Sequence, residues 1–247
     1  MFGSTDGRRI GEIWFEGNTT TDLPLLLKYI FTSERLSVQV HPDDAQAHSR
    51  GLIRGKTECW YILDAEPGAT LGLGLREAIS TAELRRAALD GSLDQLMNWV
   101  PVAPGDFFYV PAGTIHAIGA GITLVEFQQN SDRTYRLFDY GRPRELHVDE
   151  AVAVSDLTPY VRDNSRPPDD LDAVLVNGPI FSLMRISCET DTLASVADRR
   201  RWLAPLEGSV RAEDDIATAG ECLLVDADVD VELSASAVIL CGAEGCV

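Results

Sequence analysis

The chain has 247 residues, 45% hydrophobic and 24% charged, enough apolar material for one large domain or two small ones and too well spread for extensive disorder. With 39 acidic against 21 basic residues, a formal net charge of −18 argues against nucleic-acid binding, although a local Lys/Arg cluster could still receive a small anion. No run approaches the roughly 20 apolar residues of a membrane span, and no signal-peptide h-region stands near Met1.

In chain order, GEIWFEG reads as a first strand and TDLPLLLKYIF, Thr21 to Phe31, as a buried one. RLSVQVHP, ECWYIL, DFFYVPAG, ITLVEFQQ and TYRLFDYG follow as short strands, punctuated by Pro104-Gly105-Asp106 and Pro111-Ala112-Gly113. Between them STAELRRAALDGSLDQLMNWV, Ser80 to Val100, has helical spacing, with Ser80 or Thr81 as N-cap and Gly91 dividing it in two. DNSRPPDD, Asp163 to Asp170, reads as a linker. Beyond it, IFSLMRISCET, Ile180 to Thr190, and ECLLVDADVDVELSASAVILCG, Glu221 to Gly242, form a second β-rich block without histidine, since all four lie at 41, 48, 116 and 147. Short strands at regular intervals predict an all-β chain of two jelly-roll barrels with a short helical insertion in the first. The expected division is 1–162 for a metal-binding barrel, 163–170 for the linker and 171–247 for a ligand-free barrel. The five cysteines are odd in number and lack a CxxC pair, so Cys241 and Cys246 are read as ordinary thiols of a reduced, cytoplasmic protein.

The chemistry concentrates in three of these strands. Gln39 and His41 alternate onto one face of LSVQVHPDD, GKTECWYIL carries Glu58, and VPAGTIHAI carries His116. Two imidazoles, a carboxylate and an amide oxygen suit a borderline divalent ion that keeps positions for substrate oxygens. His48 and His147 lie in polar, loop-like contexts and are read as surface residues. Trp60, Tyr61 and Phe107 to Tyr109 are read as core or pocket wall.

LSVQVHPDD, GKTECWYIL, PAGTIHAIGAG and EFQQNSDRTYRLFDYGR together resemble, in order and spacing, the type I mannose-6-phosphate isomerases, which are double-barrel cupins. The resemblance is detailed from about Leu25 to Asp149 and is limited to the β pattern beyond. It implies a zinc-dependent aldose–ketose isomerase that interconverts mannose 6-phosphate and fructose 6-phosphate, with one Zn2+ per chain. Residue by residue, it places metal ligands at Gln39, His41, Glu58 and His116, and a catalytic arginine at Arg136 with Glu126 upstream. It also places active-site lysines at Lys56 and Lys28, and a basic residue at Arg142.

Proton transfer beside a carbonyl develops negative charge that a metal and Arg136 can stabilise, while Glu126 or Lys56 carries the proton. Lys28, Arg142 and Ser37 are expected to hold the substrate phosphate. The expected partner is a small sugar phosphate, with neither nucleic acid nor membrane, in a monomer or homodimer. Two other readings stand beside it. One is another metal-dependent cupin enzyme such as an iron dioxygenase, which would usually show an HxH pair where this chain has Gln39 and His41. The other is a non-catalytic sugar-phosphate sensor.

Overall fold

The computed structural model describes residues 9–17, 22–161, 172–187 and 191–245. The expected linker, Asp163 to Asp170, lies outside them. The chain divides into two compact units, one of Gly11–Ile13 with the described residues from 28 to 161, the other of residues 9 and 10 with the described ones between 14 and 27 and from 172 onwards.

Up to residue 161 the elements are β1 (Glu12–Phe15), β2 (Leu25–Thr32), β3 (Val38–Val40), α1 (Asp44–His48), β4 (Glu58–Ala65) and β5 (Thr70–Leu75), then α2 (Thr81–Asp90), α3 (Leu93–Leu96) and β6 (Met97–Pro101). β7 (Phe107–Val110), β8 (His116–Ile118), β9 (Ile122–Gln129), β10 (Tyr135–Phe138) and α4 (Val148–Val154) complete this part. The strands make two five-stranded sheets, ordered β1-β2-β9-β4-β7 and β10-β3-β8-β5-β6.

Strand alternation sorts the side chains of the second sheet. Val38 and Val40 join Leu84, Ala87, Leu137 and Val154 in an apolar cluster with α2 and α4, and Gln39 between them takes the opposite face. A separate cluster, with Trp60, Ile62, Leu71, Leu73, Phe108, Val110, Ile118 and Leu124, draws on strands of both sheets. β2, the expected buried strand, is buried along almost its whole length.

The helical insertion begins at the Ser80 N-cap, whose side chain accepts from Glu83 N–H, and breaks at Gly91, whose φ of 82° closes α2 in the left-handed region. It is shorter than its helical spacing predicted. Met97 to Val100 belong to β6, where Gly72 pairs with Trp99 and Leu75 with Met97, because ladder bonds to β5 override local helix propensity. α1 and α4 are too short to show a helical periodicity in the sequence. α1 is set by a capping box between Asp43 and Gln46.

From residue 172 the elements are β11 (Ala173–Asn177), β12 (Phe181–Ile186), α5 (Asp191–Ala194), β13 (Arg201–Glu207), β14 (Ser209–Ala212), β15 (Asp215–Thr218), β16 (Leu223–Val225), β17 (Val231–Leu233) and β18 (Val238–Glu244). They form a five-stranded sheet, β11-β12-β18-β13-β16, and a three-stranded one, β15-β14-β17. Met184, Leu203, Val210, Ala217, Val225, Ile239 and Cys241 share one apolar cluster. β13, the partner of both β16 and β18, was hidden in the sequence by Pro205, which sits where the register against β18 slips. Among the described residues no helix is long and apolar enough to cross a membrane.

Gly74 marks a close approach of backbone in the first unit. Its φ is +63°, and a Cβ there would stand 2.5 Å from Tyr160 Cβ. Gly74→Ala is expected to destabilise the protein by about 2 kcal/mol or more, through both the left-handed backbone and the clash. Urea unfolding should show a lower midpoint at unchanged m-value, and an unshifted midpoint would refute the constraint.

Candidate metal centre

Three side chains that lie far apart in sequence converge in the first unit. His41, Glu58 and His116 are each about 1% exposed, and their potential ligand atoms all lie within 4.8 Å of one another. Register explains the meeting. Gln39 of β3 is paired directly with His116 of β8 and with Arg136 of β10, so these three share one face of their sheet. In the other sheet Glu58 opens β4, and Trp60, two residues on, pairs with Glu126 of β9.

Local backbone contacts fix the entry to β4. Asp44 Oδ1 accepts from Gly55 N and Gln129 Nε2, Gln129 Oε1 accepts from Thr57 N, and Lys56 N donates to Pro42 O. A side chain at Gly55 would strike the backbone of Asp43 at 2.5 Å, which keeps α1 packed tightly against this turn.

Both imidazoles are set for ligation. His41 Nδ1 faces the Arg133 carbonyl at 3.0 Å and His116 Nδ1 the Thr114 carbonyl at 2.9 Å, so each Nδ1 carries the donated proton and each Nε2 presents a lone pair. Burial, reinforced by the Lys56 charge, holds His41 well below its ordinary range, and burial takes His116 down to about 4, so both rings are neutral at pH 7. Their Nε2 atoms stand 3.5 and 3.2 Å from Glu58 Oε2 and Oε1. Lone pairs opposed at such distances call for a cation or a proton between them. Glu58 Oε1 is buried without a hydrogen-bond donor, and desolvation lifts the carboxyl to about 7 despite the nearby Lys56 ammonium. The donor set therefore fits a divalent ion, which would keep Glu58 ionised.

Gln39 borders the same cluster. Its amide nitrogen is 3.3 Å from His116 Nε2, and its oxygen accepts from Ser37 Oγ at 3.3 Å. A 180° turn of the amide presents the oxygen to the imidazoles instead, and the Ser37 hydroxyl can then accept from the NH2. Gln39 can thus serve as the amide-oxygen ligand expected from sequence.

A charged network adjoins this group. Lys56 Nζ is 2.9 Å from Glu58 Oε2, 3.2 Å from His41 Nε2 and 4.0 Å from Glu126 Oε1. Lys28 Nζ is 3.2 Å from Glu126 Oε1, and Trp60 Nε1 donates to Glu126 Oε2 at 3.1 Å. Although burial opposes ionisation, the two ammonium groups and the indole N–H bring Glu126 down to about 2. Trp60, read from sequence as core or wall, is a hydrogen-bond donor to this carboxylate. An aromatic in a strand gives no sign in sequence of where its N–H points.

The remaining expected residues divide. Arg136 lies across from Gln39 on the same face, but Nη1 donates to Glu145 O at 2.7 Å and its backbone N–H bonds His147 Nδ1. His147 is thereby half-buried, whereas His48 is exposed as expected. Arg142 is drawn into a different contact. Its guanidinium bonds buried Asp139 at 2.6 Å and the Arg35 carbonyl at 2.9 Å, while Arg144 takes Asp139 from another side. The structure thus gathers Lys28, Ser37, Gln39, His41, Lys56, Glu58, His116 and Glu126, and ties Arg142 to Asp139.

A scan against family models finds no match for this chain. The mannose-6-phosphate isomerase of Streptococcus mutans is 42% identical over 182 residues, which cover 69% of this chain and 57% of that protein. The chain spans about half the length of the curated relatives it matches. The crystal structure of the Bacillus subtilis mannose 6-phosphate isomerase superposes with a TM-score of 0.75 at 30% identity, over 92% of this chain and 76% of that one. A zinc-bound mannose 6-phosphate isomerase structure, 16% identical over 93% of this chain and 81% of its own, shares the fold with a TM-score of 0.63.

Two outcomes follow from this geometry. Glu58→Gln should weaken divalent-metal binding by at least about 100-fold, more than loss of an outer-shell partner costs, as read by competition with a chromophoric chelator. Wild-type affinity in a folded Glu58→Gln protein would exclude the carboxylate as a ligand. Burial opposes ionisation of Asp139, but the Arg144 and Arg142 hydrogen bonds prevail and hold its carboxyl below the usual range. Its stabilisation is therefore complete above the unfolded value near 3.9 and is lost as pH falls through the lower folded value. Asp139→Asn should cost about 2 kcal/mol at pH 7 and progressively less below pH ~4, and a pH-independent difference in denaturation midpoints would refute the pairing.

The strand order and the clustered site agree with these likenesses, and the chain belongs to the mannose-6-phosphate isomerase family, with its cupin fold.

Proposed function

We propose that the protein is a zinc-dependent aldose–ketose isomerase that interconverts mannose 6-phosphate and fructose 6-phosphate. The observation that carries the reading is the buried His41–Glu58–His116 group, beside the Lys28–Glu126–Lys56 network, in a chain of this family. His41, Glu58 and His116 would hold the ion with Gln39 as amide ligand, and the ion supplies Lewis-acid polarisation of substrate oxygens when bound.

This chain's own groups account for the rest. Isomerisation removes a proton from the carbon beside the carbonyl and returns one to the neighbouring carbon, through an enediolate. Ionised Glu126 is the group available to accept that proton. Lys56, 4.0 Å away, is kept protonated against the opposition of burial by Glu58 and Glu126, and can only donate. Lys56 offers a positive charge to the developing enediolate, in surroundings where burial strengthens its field. Arg136, on the Gln39 face, is the guanidinium nearest in register. Its Glu145 contact is to a carbonyl, so turning towards substrate exchanges one hydrogen bond and breaks no ion pair. Ser37 and Lys28 are the phosphate-holding candidates at the site. Arg142 can join them only by sharing its charge with Asp139.

Incubation of the zinc-loaded protein with fructose 6-phosphate in deuterated water tests this directly. The expected result is formation of mannose 6-phosphate together with carbon-bound deuterium in the sugar pool. Glu126→Gln should slow turnover by about 100-fold or more while zinc stays bound, within the span of a lost acid–base group. If metal-loaded wild-type protein yields neither mannose 6-phosphate nor exchange, the isomerase reading fails. Oxygen uptake with bound iron would favour a dioxygenase.

A further inference from the structure

The five-stranded sheet that begins at β11 repeats the strand order of the one that begins at β1. β11-β12-β18-β13-β16 matches β1-β2-β9-β4-β7 place by place, and the registers extend the match. Glu58 opens β4, opposite Val110 of β7 and Gln128 of β9. Arg201 opens β13, opposite Val225 of β16 and Ala243 of β18. Two residues further along, Trp60 faces Glu126 in the first unit and Leu203 faces Cys241 in the second. Arg201 thus holds the position that Glu58 holds in the metal-binding unit, with the sign of the charge reversed.

Arg201 is 2% exposed, yet among the described residues it makes no ion pair. Nη2 donates to the carbonyls of Val229 at 2.7 Å and Asp226 at 3.3 Å, while Nε is buried without a partner. The Asp226 carboxylate is engaged by Arg200 at 2.8 Å instead. A buried cation bound only to carbonyls is costly, and an anion is the partner that would offset the cost. Space for one lies alongside. Arg201 lines a cavity of about 250 Å3 whose walls include Leu193, Ala197, Val231 and Leu233, with exposed Asp230 also contributing.

We propose that this cavity binds a small aliphatic monocarboxylate, its carboxylate on Arg201 and its hydrocarbon against Leu193, Val231 and Leu233. A single negative charge matches a single guanidinium. A phosphate dianion would leave charge uncompensated among apolar walls and beside Asp230. Binding here does not depend on isomerase activity in the first unit.

The full chain is titrated with 3-methylbutanoate, followed by calorimetry and by the 1H–15N cross-peak of Arg Nε. Saturable binding of one equivalent is expected, with one arginine Nε signal shifting, and the neutral isostere 3-methylbutanamide should bind at least about tenfold more weakly. Arg201→Met removes the cation, and Ala197→Leu fills the cavity while keeping it. Each should weaken carboxylate binding by about tenfold or more, and unchanged zinc stoichiometry in Ala197→Leu reports an intact first unit. The proposal is overturned by equal affinity for the amide, by binding that survives either folded variant, or by no saturation at about 50 mM, well above a millimolar Kd.

Discussion

Two carboxylates and two ammonium groups are buried together in the first unit, and their mutual neutralisation is the condition on which its interior depends. Glu58, Glu126, Lys28 and Lys56 are each at most 5% exposed. Any one of them alone would be forced towards its neutral form. Together they leave the two carboxylates unequal. Glu126, held by Lys28, Lys56 and the Trp60 indole, is a firmly ionised group, whereas at Glu58, which faces two neutral imidazoles, burial outweighs the Lys56 ammonium at 2.9 Å and leaves a shortage of positive charge. The shortage localises a demand for a cation at one end of the network.

The fold meets that arrangement through strand pairing. Because Gln39 is registered against both His116 and Arg136, a one-residue slip in β3 would exchange Gln39 with Val38 and Val40 and dismantle the ligand face and the apolar cluster at once. Packing of the valines with α2 and α4 thus enforces the register that the chemistry needs. Carbonyl acceptors for the two Nδ1 protons come from Thr114 and Arg133, so the tautomers depend on the same register.

The two larger sheets that share one strand order put it to different ends. At the first position of corresponding strands one carries Glu58 and the other Arg201, both buried. The absence of histidine from the second block was plain in the sequence. The buried guanidinium leaves no mark in the sequence, since an arginine at the start of a strand interrupted by proline looks like any surface charge until its neighbours are known.

What the sequence determined by itself was local and periodic. Two-residue alternation in LSVQVHPDD, the apolar run of β2, the Ser80 cap and the Gly91 break are written in adjacent residues, because backbone geometry repeats over a few positions. The order of the four ligand-type residues was legible for the same reason. Tertiary structure decided the partners that lie some 60 to 100 residues away or turn on rotamer choice. It joined Lys28 and Trp60 to Glu126, sent Arg142 to Asp139, and turned Met97 to Val100 from helix into strand. Hydrogen bonds and charge compensation act through space, and the linear pattern carries no record of which distant groups will share a buried volume.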